Sequence, residues 1–154
     1  MVVCTEGEMI RPLHAEDFTQ VAEIYDLSHP AEYSGEAYNF PPQRLAETPA
    51  LLELFHASEI FVFEEDGKIK GFVGHQGPNI IWLYVHPDYQ GSGIGHRLIE
   101  FLLKRQNGIA LLSVVKTNQV ALRLYQEHGF RVNGEYDFDY QGQSVTAQVL
   151  VIGF

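Results

Sequence analysis

The chain has 154 residues, of which 45% are apolar and 19% charged, and this composition indicates one folded domain over residues 1–154 rather than a disordered segment. A formal net charge of −10 disfavours binding to nucleic acid or to an anionic membrane surface, since both carry charge of the same sign. The longest apolar run, residues 80–85, is too short to cross a bilayer. We therefore expect neither a nucleic-acid partner nor a membrane partner.

The cysteine and histidine pattern limits the function further. The single cysteine, Cys4, has no partner for an internal disulfide, and no Cys/His spacing predicts a metal site. Residues 1–11 lack the basic start and the apolar stretch of a signal peptide. These features favour a reducing compartment and predict a cytoplasmic protein without a bound metal.

The first third of the chain predicts one strand and two helices. Residues 9–13 are typical of a short strand, and the apolar spacing over residues 18–25 predicts a helix. Residues 28–49 are rich in proline, tyrosine and glycine and indicate an irregular surface segment. Residues 48–56 begin with a threonine N-cap and a proline, which predicts the second helix.

Three strands are predicted next. Residues 60–65 and 69–75 flank the pair Asp66-Gly67, a turn signal typical of a β-hairpin. Residues 79–85 predict the third of these strands. They are nearly all apolar, as expected for a strand that is covered on both faces.

The rest of the chain alternates helices and strands. Residues 94–102 have the period of an amphipathic helix, and residues 109–115 predict another buried strand. A helix over residues 118–128 should end at a left-handed Gly129. A closing pair of strands follows over residues 130–140 and 144–154. This order predicts a mixed α/β or α+β fold with helices packed on a single sheet.

The sharpest local feature is the glycine-rich run of residues 90–95, between the strand that ends at Val85 and the helix that begins near Gly93. Glycines at such a turn let several backbone N–H groups face one point. The helix N-terminus adds partial positive charge at that point. Together they predict a site for a phosphate or pyrophosphate, even in an acidic protein.

The run fits neither of the two commonest nucleotide motifs. A P-loop needs lysine and a hydroxyl residue after its last glycine, but His96 and Arg97 follow Gly95. A dinucleotide fingerprint that starts at Gly91 needs a glycine where His96 stands. The pattern that fits is Gln-x-x-Gly-x-Gly, and a purely structural turn is the alternative interpretation.

Two stretches resemble one known family. Residues 83–95 resemble the acetyl-CoA-binding motif of the GNAT N-acetyltransferase superfamily. The order of strands and helices over nearly the whole chain is also similar to that of the family. A second match follows in the family order, at Asn118, Ala121, Tyr125, Gly129 and Phe130.

The resemblance implies a fold and a binding mode for acetyl-CoA. It implies a central mixed sheet of about seven strands, splayed open after Val85, with helices on both faces. Pantetheine would lie in the gap and pair with the main chain of that strand, and the pyrophosphate would bind the glycine loop. The residues implied at acetyl-CoA are Leu83, Tyr84, Val85, Gln90, Gly91, Ser92, Gly93, Ile94, Gly95, His96 and Asn118.

The resemblance also implies a reaction, the transfer of an acetyl group to a primary amine of a small molecule or protein by direct attack in a ternary complex. Asn118, Ala121 and Tyr125 lie at helical spacing on one face. In the family, a tyrosine at this position is the proposed general acid for the leaving thiolate. A core tyrosine with its hydroxyl at the rim is the structural alternative for Tyr125.

The group that accepts the amine proton is not evident from the sequence. Some family members carry Glu or His near the start of the central strand, where this chain has residues 79–81, Asn-Ile-Ile. Ordered waters that relay the proton to solvent are therefore our default hypothesis. Four residues are candidates by type alone, and for each a structural or solvated role is favoured: His75, Glu36, Asp137 and Asp139.

Several expectations stay open. Residues 33–40 and 136–140 are rich in aromatics and carboxylates and should line the site of the amine, whose identity the sequence does not reveal. A non-catalytic acyl-CoA-binding or regulatory module is the alternative to an enzyme, although the retained Tyr125 argues against it. Family members often pair through their closing strands, so a homodimer is one expected form.

Overall fold

The computed structural model describes residues 7–154, so Cys4 lies outside the described residues. In that range it contains seven strands and four α-helices. The predicted elements are confirmed, with ends that differ by a few residues. They are β1 Glu8–Pro12, α1 Phe18–Ser28, α2 Pro49–His56, β2 Glu59–Glu65, β3 Lys68–Gln76, β4 Asn79–Val85, α3 Ile94–Arg105, β5 Ala110–Val115, α4 Gln119–Glu127, β6 Arg131–Tyr140 and β7 Gln143–Ile152.

Local signals explain most element ends, and two segments differ from expectation. Gly129 follows α4 with φ of +95°, the left-handed stop that the sequence predicted. Thr48 does precede α2, but its hydroxyl donates to the Arg44 carbonyl oxygen at 2.7 Å instead of capping the helix. The segment between α1 and α2 is more regular than predicted, because it forms 3₁₀ turns at His29–Tyr33 and Leu45–Glu47.

All seven strands form one sheet in the order β1-β2-β3-β4-β5-β7-β6. Neighbours are antiparallel except β4 and β5, which are parallel. Those two strands share a single paired position, Asn79 with Leu111, and then separate. The predicted mixed, splayed sheet is therefore confirmed.

The helices cover both faces of the sheet, as predicted. On one face, α1 and α2 bury Ile24 and Phe55 in a core with Trp82 of β4, whose ring centroid lies 5.5 Å from that of Phe55. On the other face, α3 and α4 bury Leu98 and Leu122 in a second core. Within residues 7–154, no helix has the length and apolar character needed to span a membrane.

A buried ion cluster fixes the start of α1 against the edge of the sheet. The Arg11 guanidinium donates to Asp17 at 2.8 Å and 3.1 Å and to Glu64 at 2.6 Å. Asp17 is only 4% exposed and also accepts the backbone N–H of His14 at 2.7 Å. The hydrogen bonds from Arg11 hold the pKa of Asp17 below its ordinary value, despite the opposing effect of burial.

We predict that Asp17→Asn lowers the free energy of unfolding at pH 7 by about 3–5 kcal/mol, because it leaves the Arg11 charge poorly compensated. The folded pKa of Asp17 is depressed, so its contribution is present above the unfolded pKa, about 3.9, and is lost as pH falls through the folded pKa. Urea unfolding should therefore show a difference between parent and variant that narrows below about pH 4. The exposed Glu16→Gln should change stability by less than about 0.5 kcal/mol. An equal stability of parent and Asp17→Asn at pH 7 would contradict this account.

Candidate active site

An open cavity of about 880 Å³ lies where β4 and β5 separate. Its walls come from both strands, from the glycine loop before α3, from one face of α4 and from part of residues 28–35. Tyr125 lines this cavity, and so do all the residues predicted to bind acetyl-CoA except Ser92. The fold thus brings two distant sequence motifs to one space.

The glycine loop enters α3 through left-handed backbone. Gly91 and Gly93 have φ of +83° and +88°, values that residues with a Cβ rarely adopt. Gly93 is the N-cap of α3, and no side chain of the described residues caps this helix, so its first N–H groups can bind an anion. Ser92 instead donates its hydroxyl to the Tyr89 carbonyl oxygen at 2.5 Å.

A histidine pair stands at the end of the cavity formed by the glycine loop. The Nδ1 atom of His96 lies 2.8 Å from Nε2 of His128, and its Nε2 atom lies 3.8 Å from the carboxylate of Glu127. Burial, together with His96, lowers the pKa of His128. These contacts fix the ring of His96 beside the first turn of α3.

The edge of β4 that faces the gap has main-chain groups without a strand partner. The N–H of His86 donates to the Lys70 carbonyl oxygen in β3 at 2.8 Å. Because successive residues of a strand point their main-chain groups to opposite sides, Leu83 and Val85 face the gap and Tyr84 faces β3. Tyr84 was expected to bind through its main chain; it lines the cavity, but its main-chain groups are directed to β3.

The Val85 carbonyl oxygen is already used by the protein. It accepts hydrogen bonds from Ser28 Oγ at 2.8 Å and from Gln90 Nε2 at 3.2 Å. The first of these hydrogen bonds connects the end of α1 to β4, and the second connects the start of the glycine loop to β4. The N–H and the carbonyl oxygen of Leu83 face the gap and have no strand partner there among the described residues.

The second motif forms the α4 wall. Asn118 is the N-cap of α4, and its Oδ1 accepts the N–H of Ala121 at 3.4 Å. Tyr125 is 8% exposed, packs edge-on against Phe130 and reaches the cavity. Its burial, and to a lesser extent the charge of Glu32, raises the pKa of the Tyr125 hydroxyl, which is therefore protonated at neutral pH.

Sequence reasoning missed three charged residues that line the cavity, Glu32, Arg123 and Glu127. Arg123 lies on the exposed side of α4, and no ion pair joins it within residues 7–154. Glu32 follows α1 in a segment without a regular spacing of apolar residues. Its aromatic neighbours in the sequence were the one signal of a binding site.

The four acidic or histidine candidates named from type alone do not line the cavity. His75 bonds Glu59 and the Gly77 carbonyl oxygen. The carboxylates of the other three, Glu36, Asp137 and Asp139, accept hydrogen bonds from Thr117, Thr146 and the Gly142 N–H, respectively. Each therefore has a structural partner, in agreement with the role that the sequence favoured.

Comparison with known proteins now decides the family. Residues 56–132, half of the chain, match the family described as the acetyltransferase (GNAT) domain. The chain belongs to the GNAT acetyltransferase family. The matched range contains β4, the glycine loop and the whole of α4, which are the main walls of the cavity.

Curated relatives of this GNAT protein act on different amines. The chain is 36% identical over 73 residues to the peptidyl-lysine N-acetyltransferase YiaC of Escherichia coli, covering 47% of this chain and 49% of YiaC. It is 33% identical over 78 residues to a spermine/spermidine N(1)-acetyltransferase of Bacillus subtilis, covering 46% and 50%. These alignments thus span about half the length of either relative. The L-amino acid N-acyltransferase MnaT of E. coli is 26% identical over 82% of this chain and 81% of its own.

Solved structures of similar fold cover almost the entire chain. A GCN5-related N-acetyltransferase from Rhodopseudomonas palustris matches 98% of this chain and 97% of its own, with a TM-score of 0.76 and 21% identity. A putative acetyltransferase, yncA, from Salmonella typhimurium was solved with acetyl-CoA and matches 94% and 92%, with a TM-score of 0.70 and 20% identity. At these identities the likeness concerns the fold.

Proposed function

We propose that this GNAT protein is an acetyl-CoA-dependent N-acetyltransferase that transfers the acetyl group to a primary amine by direct attack. One observation carries the proposal. The gap between β4 and β5 has the uncapped N-terminus of α3 at one wall and the buried, protonated Tyr125 at another. A phosphate site and a hydroxyl donor within one cavity are the two features that a CoA thioester requires.

The residues present fit acetyl-CoA in this gap. The main-chain groups of Leu83, which face away from β3, would pair with the pantetheine as an additional strand does. The N–H groups of the glycine loop and of the first turn of α3 would bind the pyrophosphate. Arg123, exposed and lining the same cavity, would add a positive charge for a phosphate group. The other implied residues, among them Gln90, His96 and Asn118, support this site through the contacts described above.

Tyr125 would act on the leaving sulfur of the thioester. A free thiol has a pKa of about 8.5 and a free tyrosine about 10, so full proton transfer to the thiolate is uphill by roughly 2 kcal/mol. Burial raises the pKa of Tyr125 further and makes this transfer less favourable. We therefore infer that the Tyr125 hydroxyl donates a hydrogen bond to the sulfur as the amine nitrogen bonds to the carbonyl carbon and the carbon–sulfur bond breaks. The proton that the nitrogen loses passes through water to solvent, and the thiolate takes up a proton from water as CoA leaves.

The acceptor of the acetyl group is proposed as a primary amine, since the relatives named above act on peptidyl-lysine, polyamines or L-amino acids. The enzyme is favoured over a non-catalytic CoA-binding module, because the chain belongs to an acetyltransferase family and the relatives named above are N-acyltransferases. A cytoplasmic location and a homodimer remain proposals from the sequence alone.

We predict that the protein binds acetyl-CoA in a calorimetric titration, and that NADH and ATP bind far more weakly. Gly93→Val should lower the affinity roughly tenfold or more, because valine disfavours the positive φ that directs the N–H groups of the loop. Gly67→Val is the matched control: its φ is also positive, +79°, but it lies in the β2–β3 turn away from the cavity. Absence of acetyl-CoA binding by the folded parent would refute the proposed function.

We predict that Tyr125→Phe lowers kcat by about ten- to a hundredfold, at the low end of general-acid effects, because the sulfur loses its hydrogen-bond donor. The affinity for acetyl-CoA should stay close to that of the parent, since the ring is kept. Release of the CoA thiol with a panel of primary amines measures the rate. A variant that turns over as fast as the parent would remove Tyr125 from the mechanism.

A further inference from the structure

Glu32 occupies an unusual place in the cavity. It lies in the 3₁₀ turn that follows α1, and its side chain is 29% exposed. Among the described residues, Glu32 and Glu127 are the acids that line the cavity. Glu127 stands beside His96 at the glycine-loop end. Glu32 is therefore the carboxylate that lines the α1 side of this cavity. Glu36 lines a smaller adjoining cavity, and its carboxylate accepts a hydrogen bond from Thr117.

In the described part of the chain, no Lys or Arg forms an ion pair with Glu32. Within residues 7–154 its one ion-pair contact is His29, with 3.6 Å between Nδ1 and the carboxylate Oε1. The charge of Glu32 instead acts on five tyrosine hydroxyls. Burial raises the pKa of each hydroxyl, and the charge of Glu32 raises it further. The five residues are Tyr25, Tyr33, Tyr84, Tyr125 and Tyr140. A carboxylate among neutral aromatic rings is an environment that attracts a cation.

A buried polar atom of His29 provides an independent indication of a binding site beside Glu32. Its side chain is 8% exposed, and Nε2 lies 3.0 Å from the Tyr140 hydroxyl. Its Nδ1 atom is buried without a hydrogen-bond partner in the described part of the chain and is directed toward Glu32. Unpartnered buried polar atoms are rare in folded proteins and are usually satisfied by water or a ligand.

Aromatic rings continue from this point to the surface. Tyr33 stacks on Tyr140 with ring centroids 4.2 Å apart, and Phe40 packs against both. These rings line a second cavity of about 340 Å³, which adjoins the first at Ser34 and has no Lys or Arg among its described lining residues. An apolar alkyl chain with a positive charge fits such a surface.

We propose that Glu32 binds the acceptor in its ammonium form as it enters the site, and that the acceptor is therefore an alkylammonium without a carboxylate next to the reacting amine. The reacting nitrogen then loses one proton to solvent through water before it attacks the thioester carbonyl. This inference rests on the proposed acetyltransferase function. A polyamine and a lysine side chain share this chemistry. The carboxylate of a free L-amino acid would lie against Glu32, with no Lys or Arg near it on the α1 side among the described residues.

Steady-state release of the CoA thiol tests the proposal with three probes: spermidine, a lysine residue blocked at both its amino and carboxyl groups, and L-methionine. We expect the parent to use spermidine or the blocked lysine with a kcat/KM at least about tenfold above that for L-methionine. Which of the two is preferred identifies the source of the alkylammonium. A parent that prefers L-methionine overturns the proposal and leaves the acetyltransferase function intact.

The decisive variant is Glu32→Gln, which keeps the size of the side chain and removes its charge. We expect KM for the preferred alkylammonium to rise about ten- to a hundredfold, with a smaller change in kcat and with acetyl-CoA affinity within about twofold of the parent. Glu47→Gln, an exposed carboxylate on the same inter-helix segment that pairs with Arg44, should leave KM unchanged. An unchanged KM in Glu32→Gln refutes the role, whereas a parent that fails to bind acetyl-CoA refutes the proposed function itself.

Discussion

The separation of β4 from β5 is the constraint on which the rest of the molecule depends. Two parallel strands that share one paired position leave the main-chain groups beyond it without a strand partner. Such groups are costly to bury unpaired, so a splayed sheet persists only where a ligand or water can take the place of the missing strand. The two cores, one under α1 and α2 and one under α3 and α4, hold the two parts of the sheet in this arrangement.

The functional groups are arranged around that gap by elements from distant parts of the chain. The glycine loop leads from the end of β4 into α3, so its N–H groups lie at one end of the opening. The wall formed by α4 brings Tyr125 to the opening, and the turn after α1 brings Glu32. The hydrogen bond from Ser28 to the Val85 carbonyl oxygen connects that turn to β4. The proposed cofactor site and the proposed acceptor site thus meet at the end of β4.

Much of this arrangement could be predicted from the sequence, because its signals are local. The apolar run of β4 and the left-handed Gly129 each follow from a short pattern with a physical cause. The sequence could not reveal Glu32, since its place in the cavity depends on the tertiary packing of the turn after α1, where His29 contacts Tyr84 of β4 and Tyr140 of β6. Nor could it show that Ser92 turns toward Tyr89, because that choice depends on the conformation of the loop.

The central claim, that acetyl-CoA occupies the gap, is tested most directly by amide-resolved nuclear magnetic resonance. A titration of the uniformly nitrogen-15-labelled protein with acetyl-CoA reports on each backbone N–H separately. The account predicts that the largest shifts occur at Leu83 and across the glycine loop at Gly91, Gly93 and Gly95. Acetyl-CoA binding that shifts amides elsewhere, for example on the exposed edge of β6, and leaves these four unchanged would contradict it.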